Sequence, residues 1–367
     1  MSPVVHCPPQ TVRSGPLAQL AEQQTLNLEV PGSIPGRLTI FLKVQIRQIA
    51  LPRIGISTCL LGEEVRYDGG HKRDPYIVET LGPLVEWFPV CPEVELGLGT
   101  PREAIRLIRN PKDPEAINLV SRSGNDLTVK MRRFARRRAR ELAKEHLSGY
   151  ILKKDSPSCG MERVKIWSER NQKTSERKGR GLFADELLRQ FPNLPTEEEG
   201  RLHDPQLREN FVERVFIYRK LRALFATRWT VGAIVNFHTA HKLTLMAHAL
   251  NRYRELGRLV ADAKAFPRSE LARRYEDEFM AAMKTRATPG RHANVLMHAV
   301  GHFKRNLDQE SRNELLAAIE DYRQRLVPRI VPLTLVRHHA RTLKVAYLLG
   351  QAYLNPHPKE LALLNHV

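Results

Sequence analysis

Cysteine, long apolar runs and negative charge are all scarce in this sequence. Four cysteines in 367 residues are too few and too scattered for a secreted disulfide framework, so the chain reads as cytoplasmic, with its thiols reduced. No run of about 18 uninterrupted apolar residues is available to span a bilayer. Nor does the start show the basic, apolar and small-residue order of a secretory signal. No membrane partner is therefore expected. Asp and Glu total 40 against 59 Lys and Arg, leaving a formal charge of +19, and a surplus of that size points to a polyanionic partner. With 42% apolar residues, a chain of this length supports two domains, each with its own core.

Residues 1–50 do not read as part of either domain. The stretch SGPLAQLAEQQTLNLEVPGSIPGRLTIF carries little charge and is broken by Pro and Gly. It resembles the peptide obtained when the antisense strand of a tRNA gene is translated by mistake. The expectation is a mis-translated or disordered extension, with the true start near residues 42–53 and no function for Cys7.

From residue 53 a β pattern begins: RIGIS (53–57), VEWFPV (85–90), AIRLIR, INLVS, YILKK and VKIW (164–167). Between INLVS and YILKK, Met131, Phe134, Ala135, Ala139 and Leu142 recur at helical spacing. Strands interleaved with helices predict an α/β, Rossmann-like, mainly parallel sheet over residues 51–195. Such sheets bind ligands beyond the carboxyl ends of their strands. Cys59, Cys91 and Cys159 each fall just after an apolar run, amid polar, turn-forming residues. Their spacing lacks the paired units of a local zinc finger. Two readings stay open: three small buried hydrophobes, or three thiolates for an iron–sulfur cluster with one open iron.

STCLLGEEVRYDGG (57–70), CPEVELGLGTPR (91–102) and KKDSPSCG (153–160) occur in that order. Together they resemble the three signatures of the thiouracil desulfidase family. The resemblance implies a [4Fe-4S] cluster held by Cys59, Cys91 and Cys159, with one iron left open for the substrate's sulfur. It also implies a non-redox hydrolysis of a thiocarbonyl, with Glu93 as the general base and Ser156 positioning water or substrate. Glu95 and Ser158 are the neighbouring rivals for those roles. Asp68 and Arg102 are expected to shape the pocket.

PNLPTEEEGRLHDPQLRENF (192–211) is rich in Pro and charge and reads as a connector; residues 207–367 give long helical periodicities, and the second domain is placed at 196–367. This second, all-α domain resembles the YbgA-like domain through NFHTAHKLTLMAH, RHANVLMHAVGHF, VPLTLVRHH and YLNPHP. Both domains together resemble the RudS-type tRNA 4-thiouridine desulfidases, which implies tRNA as partner and its 4-thiouridine as substrate. A desulfidase of free thiouracil and a non-enzymatic nucleic-acid-binding accessory protein are the alternatives. Charge favours RNA independently: KMRRFARRRAR (130–140) has seven basic residues and no acid. Arg132, Arg133, Arg136, Arg137 and Lys242 are the expected tRNA contacts. His238, His241, His248, His298 and His302 invite a metal reading, but no cysteine accompanies them, and phosphate contact or helix packing suits them better. Oligomeric state is not legible.

Overall fold

A computed structural model of the chain describes residues 51–110, 113, 115–168, 175–303 and 306–366. The expected extension at 1–50, with Cys7, lies outside them.

The apolar runs form strands β1 (Arg53–Ser57), β2 (Glu86–Val90), β3 (Ile105–Arg109), β4 (Ile117–Ser121), β5 (Gly149–Leu152) and β6 (Val164–Trp167). Two further strands follow, β7 (Ser175–Gly179) and β8 (Thr196–Glu198). One sheet has the order β2-β1-β5-β8 and is wholly parallel. The other, β4-β3-β6-β7, joins β3 and β6 in parallel and adds an antiparallel strand on each side. The parallel, Rossmann-like expectation therefore holds for the first sheet, and the second is mixed.

Two helices, α1 (Thr128–Leu142) and α2 (Leu182–Gln190), cover one face of the parallel sheet. Met131, Phe134 and Phe183 join Val90, Tyr150 and Leu152 in one core. On the opposite face Ile54, Ile56 and Ile151 pack with Phe211, Val212 and Val215. Those three residues belong to α3 (Pro205–Phe225), which starts on a Pro at N1, with the Asp204 side chain accepting the backbone N–H groups of Gln206 and Leu207. Farther along, Ile217, Tyr218 and Leu221 enter the first core, so this one helix binds sheet and helices together. The stretch read as a connector is thus built into the structure: β8 completes the parallel sheet, and α3 carries its core into the helical half. The domain boundary expected at 195/196 falls at the first residue of β8.

Beyond α3 the chain is helical, as its periodicity predicts: α4 (Val231–Ala240), α5 (Lys242–His248), α6 (Leu250–Ala261), α7 (Arg268–Lys284), α8 (Pro289–Val300), α9 (Gln309–Arg323) and α10 (Ile330–Thr342). Leu243, Leu296, Leu315, Ile319 and Val336 form its second core. None of the described helices is long and apolar enough to cross a membrane.

Candidate active site

The carboxyl ends of β1, β2 and β5 open onto a cavity of about 380 Å³, within the range of small-molecule sites. Cys59, Cys91 and Cys159 all line it. Cys59 lies in a 3-10 turn directly after β1. Cys91 follows β2 and opens the single helical turn Pro92–Glu95, where Pro92 needs no N–H donor. Cys159 comes from the loop after β5. There the Ser156 hydroxyl oxygen accepts the backbone N–H groups of Ser158 (3.3 Å) and Cys159 (3.1 Å). The loop rests on the start of α2: Leu182 N–H donates to the Pro157 carbonyl, and Phe183 and Ala184 N–H to that of Ser158. Donors that a helix start leaves unpaired are thereby satisfied, and the loop is fixed.

Burial governs the thiols. It pushes Cys59 up to about 11, with Lys153 opposing the shift, and it raises Cys91 and Cys159 as well. All three are free and lack a disulfide partner among the described residues. Nor do any three His, Cys, Asp or Glu side chains there form a ligand set for a single metal ion. A sulfur-only donor set spread over one cavity wall instead fits an iron–sulfur cluster, whose irons take Cys thiolates. Ligation would draw protons from thiols that burial otherwise keeps neutral.

Glu93 faces the same cavity. Arg102 grips its Oε2 through Nη2 and through Nε at 3.0 Å. Ser158 donates to its Oε1 at 2.5 Å, and Ser156 Oγ lies 3.5 Å from that oxygen. Arg102 also donates to the carbonyls of Val65 and Gly99, tying the RYDG and CPE segments to one guanidinium. Ser156 lines the cavity and Ser158 is fully buried behind it. Glu95 turns away to Arg138 (2.9 Å), and burial raises its pKa. Asp68 is also off the wall. It is exposed and pairs with Arg66, which does line the cavity.

Arg132, Arg133, Arg136 and Arg137 lie exposed on α1, with Arg136 3.9 Å from Glu186 and Arg137 3.7 Å from Glu141. None of them lines the cavity. Lys242 lies in a groove over α4–α6 with Arg254, Arg258 and Lys264. Among the described residues none of these four pairs with a carboxylate. Three of the candidate histidines are buried and internally bonded: His238 to the Tyr275 hydroxyl, His241 to the Phe237 carbonyl, and His248 to Glu213 and the Thr285 carbonyl.

Sequence reasoning quoted Lys153 within KKDSPSCG without giving it a role, and missed Glu199. Lys153 lines the cavity, and its ammonium meets Glu199 at 2.5 Å. The signal was TEEE, three acids in a row that are all buried.

Comparison with known proteins finds two family matches along the chain. Residues 54–199 match the 2-thiouracil desulfurase family, and residues 242–358 a family described as protein of unknown function (DUF1722). Uncharacterized protein YbgA of Escherichia coli is 32% identical over 151 residues, 41% of this chain and 89% of that protein. Uncharacterized protein YbbK of Bacillus subtilis is 33% identical over 112 residues, 29% of this chain and 71% of that protein. A solved structure described as [4Fe-4S]-dependent thiouracil desulfidase TudS is 31% identical, covering 42% of this chain and 94% of its own, with a TM-score of 0.34.

Proposed function

Since the chain belongs to the 2-thiouracil desulfurase family over residues 54–199 and to the YbgA-like, DUF1722 family over residues 242–358, we propose that it hydrolyses the C=S group of a thiolated pyrimidine, with 4-thiouridine in tRNA as the substrate. The observation that carries this reading is the convergence of Cys59, Cys91, Cys159, Glu93 and Ser156 on one cavity. A [4Fe-4S] cluster held by the three cysteines would supply a soft Lewis acid suited to a thiocarbonyl sulfur.

The protein's own groups then have distinct tasks. Arg102 and Ser158 hold both oxygens of Glu93, so the carboxylate keeps one orientation when water arrives. Glu93 accepts a proton from that water as its oxygen bonds to the ring carbon. Ser156 has its oxygen engaged by two backbone N–H groups and its own proton aimed at the Ser158 hydroxyl (3.0 Å) and Glu93 Oε1 (3.5 Å), so it orients water or substrate by turning that proton from Glu93 to the newcomer. Ser158 positions Glu93 from behind.

RNA as the carrier of the base is supported by the charge of +19 and by the groove on the helical half whose four cations meet no carboxylate among the described residues. Basic side chains free of acids are what a phosphate backbone recruits, and a base within folded tRNA must be exposed or flipped to enter a cavity.

Glu93→Gln tests the assignment. The variant is expected to load a cluster like the wild type, seen in its visible absorption, and to lose about a hundredfold or more in turnover, the share of a positioned general base. Turnover within a few-fold of wild type contradicts it.

A further inference from the structure

The cavity has two electrostatic poles. Glu93, with Arg102, stands beside Cys91 and Cys159. On the Cys59 side a cation, Lys153, lines the wall and exerts the largest charge effect on that thiol, second only to burial. Strand register puts it there. Leu152 of β5 pairs with Glu198 of β8, so the next residues, Lys153 and Glu199, leave the sheet side by side. Lys153 N–H donates to the Ser57 hydroxyl at the end of β1 (3.0 Å). Its Nζ donates to Glu199 Oε1 (2.5 Å) and to the Lys154 carbonyl (2.9 Å). The other oxygen of Glu199 accepts the Lys154 N–H at 2.7 Å. Both side chains are nearly buried, 13% and 9% exposed.

Burying such a pair costs desolvation, and the contact is weak evidence for a purely stabilising role. An ammonium has three protons. Among the described residues two have acceptors, and the third belongs to a group on the cavity wall. Arg66 and Lys72 add further positive charge to that wall.

We propose that Lys153, held by Glu199, is the anion-binding group of the cavity and takes up the negative charge that leaves with sulfur. This rests on the desulfidase reading. In that hydrolysis the water oxygen bonds to the ring carbon and the carbon–sulfur bond breaks. Sulfur keeps both pairs of the former C=S bond and takes one of the water's protons, leaving as hydrosulfide as the new C=O forms, and the other proton passes through Glu93 to solvent. A fixed ammonium beside the departing sulfur stabilises that charge without reorganising. Glu199 is a positioning residue: it does not line the cavity, and it fixes where the ammonium stands.

The test uses the cluster-loaded protein and sodium hydrosulfide, read by the change in visible absorption on titration and, separately, by inhibition of turnover. Lys153→Met is expected to weaken hydrosulfide binding about tenfold or more, the worth of a charge-assisted hydrogen bond. Lys153→Arg keeps the charge and is expected to stay within about threefold, with Glu199→Gln between the two. Wild-type affinity in Lys153→Met overturns the proposal, as does a wild type that does not bind hydrosulfide. If Lys153→Met loads no cluster, Glu199→Gln decides, and unchanged affinity there overturns it. A loaded wild type that binds hydrosulfide but leaves thiolated pyrimidines intact defeats the desulfidase reading instead, so the two failures are distinguishable.

Discussion

Gly181 shows how much of the site depends on a residue that carries no chemistry. A Cβ built there would lie 2.4 Å from the Ser158 carbonyl carbon and oxygen and 2.8 Å from the Cys159 nitrogen. The obstruction is backbone, so it cannot swing aside. Gly181→Ala is therefore expected to push the SPSCG loop off α2 and reduce cluster loading several-fold, while every ligand remains in the sequence. Iron content per chain checks this, and wild-type loading would contradict it. That Cys59, Cys91, Cys159, Glu93 and Ser156 share one cavity was legible in the sequence through three motifs that together resemble one family's signatures. The preference for Ser156 over Ser158 at the wall, and the clamp of Arg102 on Glu93, depend on which way side chains point. Spacing does not carry that.

Among the elements, β8 was the hardest to read. TEE shows no alternation of apolar and polar residues. Its acids are buried because they bind neighbouring segments: Glu197 pairs with Arg201, Glu198 accepts the N–H groups of Met161 and Glu162, and Glu199, just past the strand, holds Lys153. The antiparallel edges of the second sheet were equally hidden, since strand order is a long-range property. The helices were legible from their apolar period. What that period did not reveal is the cost of histidines inside them. Burial lowers both His238 and His241 to about 4, from an ordinary value of 6.5. Both rings are neutral in the folded chain at neutral pH, whereas the unfolded chain binds protons below 6.5. The stability they allow is thus fully present above that pH and is lost as pH falls towards 4. Urea unfolding should lose about 2 kcal/mol per histidine between neutrality and about pH 5. Replacing both with asparagine is expected to flatten that slope, and an unchanged slope would contradict the assignment.

For the whole molecule, a sulfur-lined cavity and a basic surface occur in one chain of +19 charge. The arginine run on α1 was the obvious RNA candidate in the sequence, yet three of its members, Arg136, Arg137 and Arg138, lie close to carboxylates. The groove of Lys242, Arg254, Arg258 and Lys264 has no such neighbours among the described residues; of these only Lys242 was expected from the sequence, because the cations are dispersed over α5, α6 and the turn after it. Folding assembles what the sequence scatters. The most direct measurement is to incubate anaerobically cluster-loaded protein with tRNA containing 4-thiouridine, following the near-UV absorbance of the thiocarbonyl and the sulfide released. The account predicts loss of that absorbance with sulfide appearing in step. An intact cluster beside unchanged 4-thiouridine and no sulfide would contradict it.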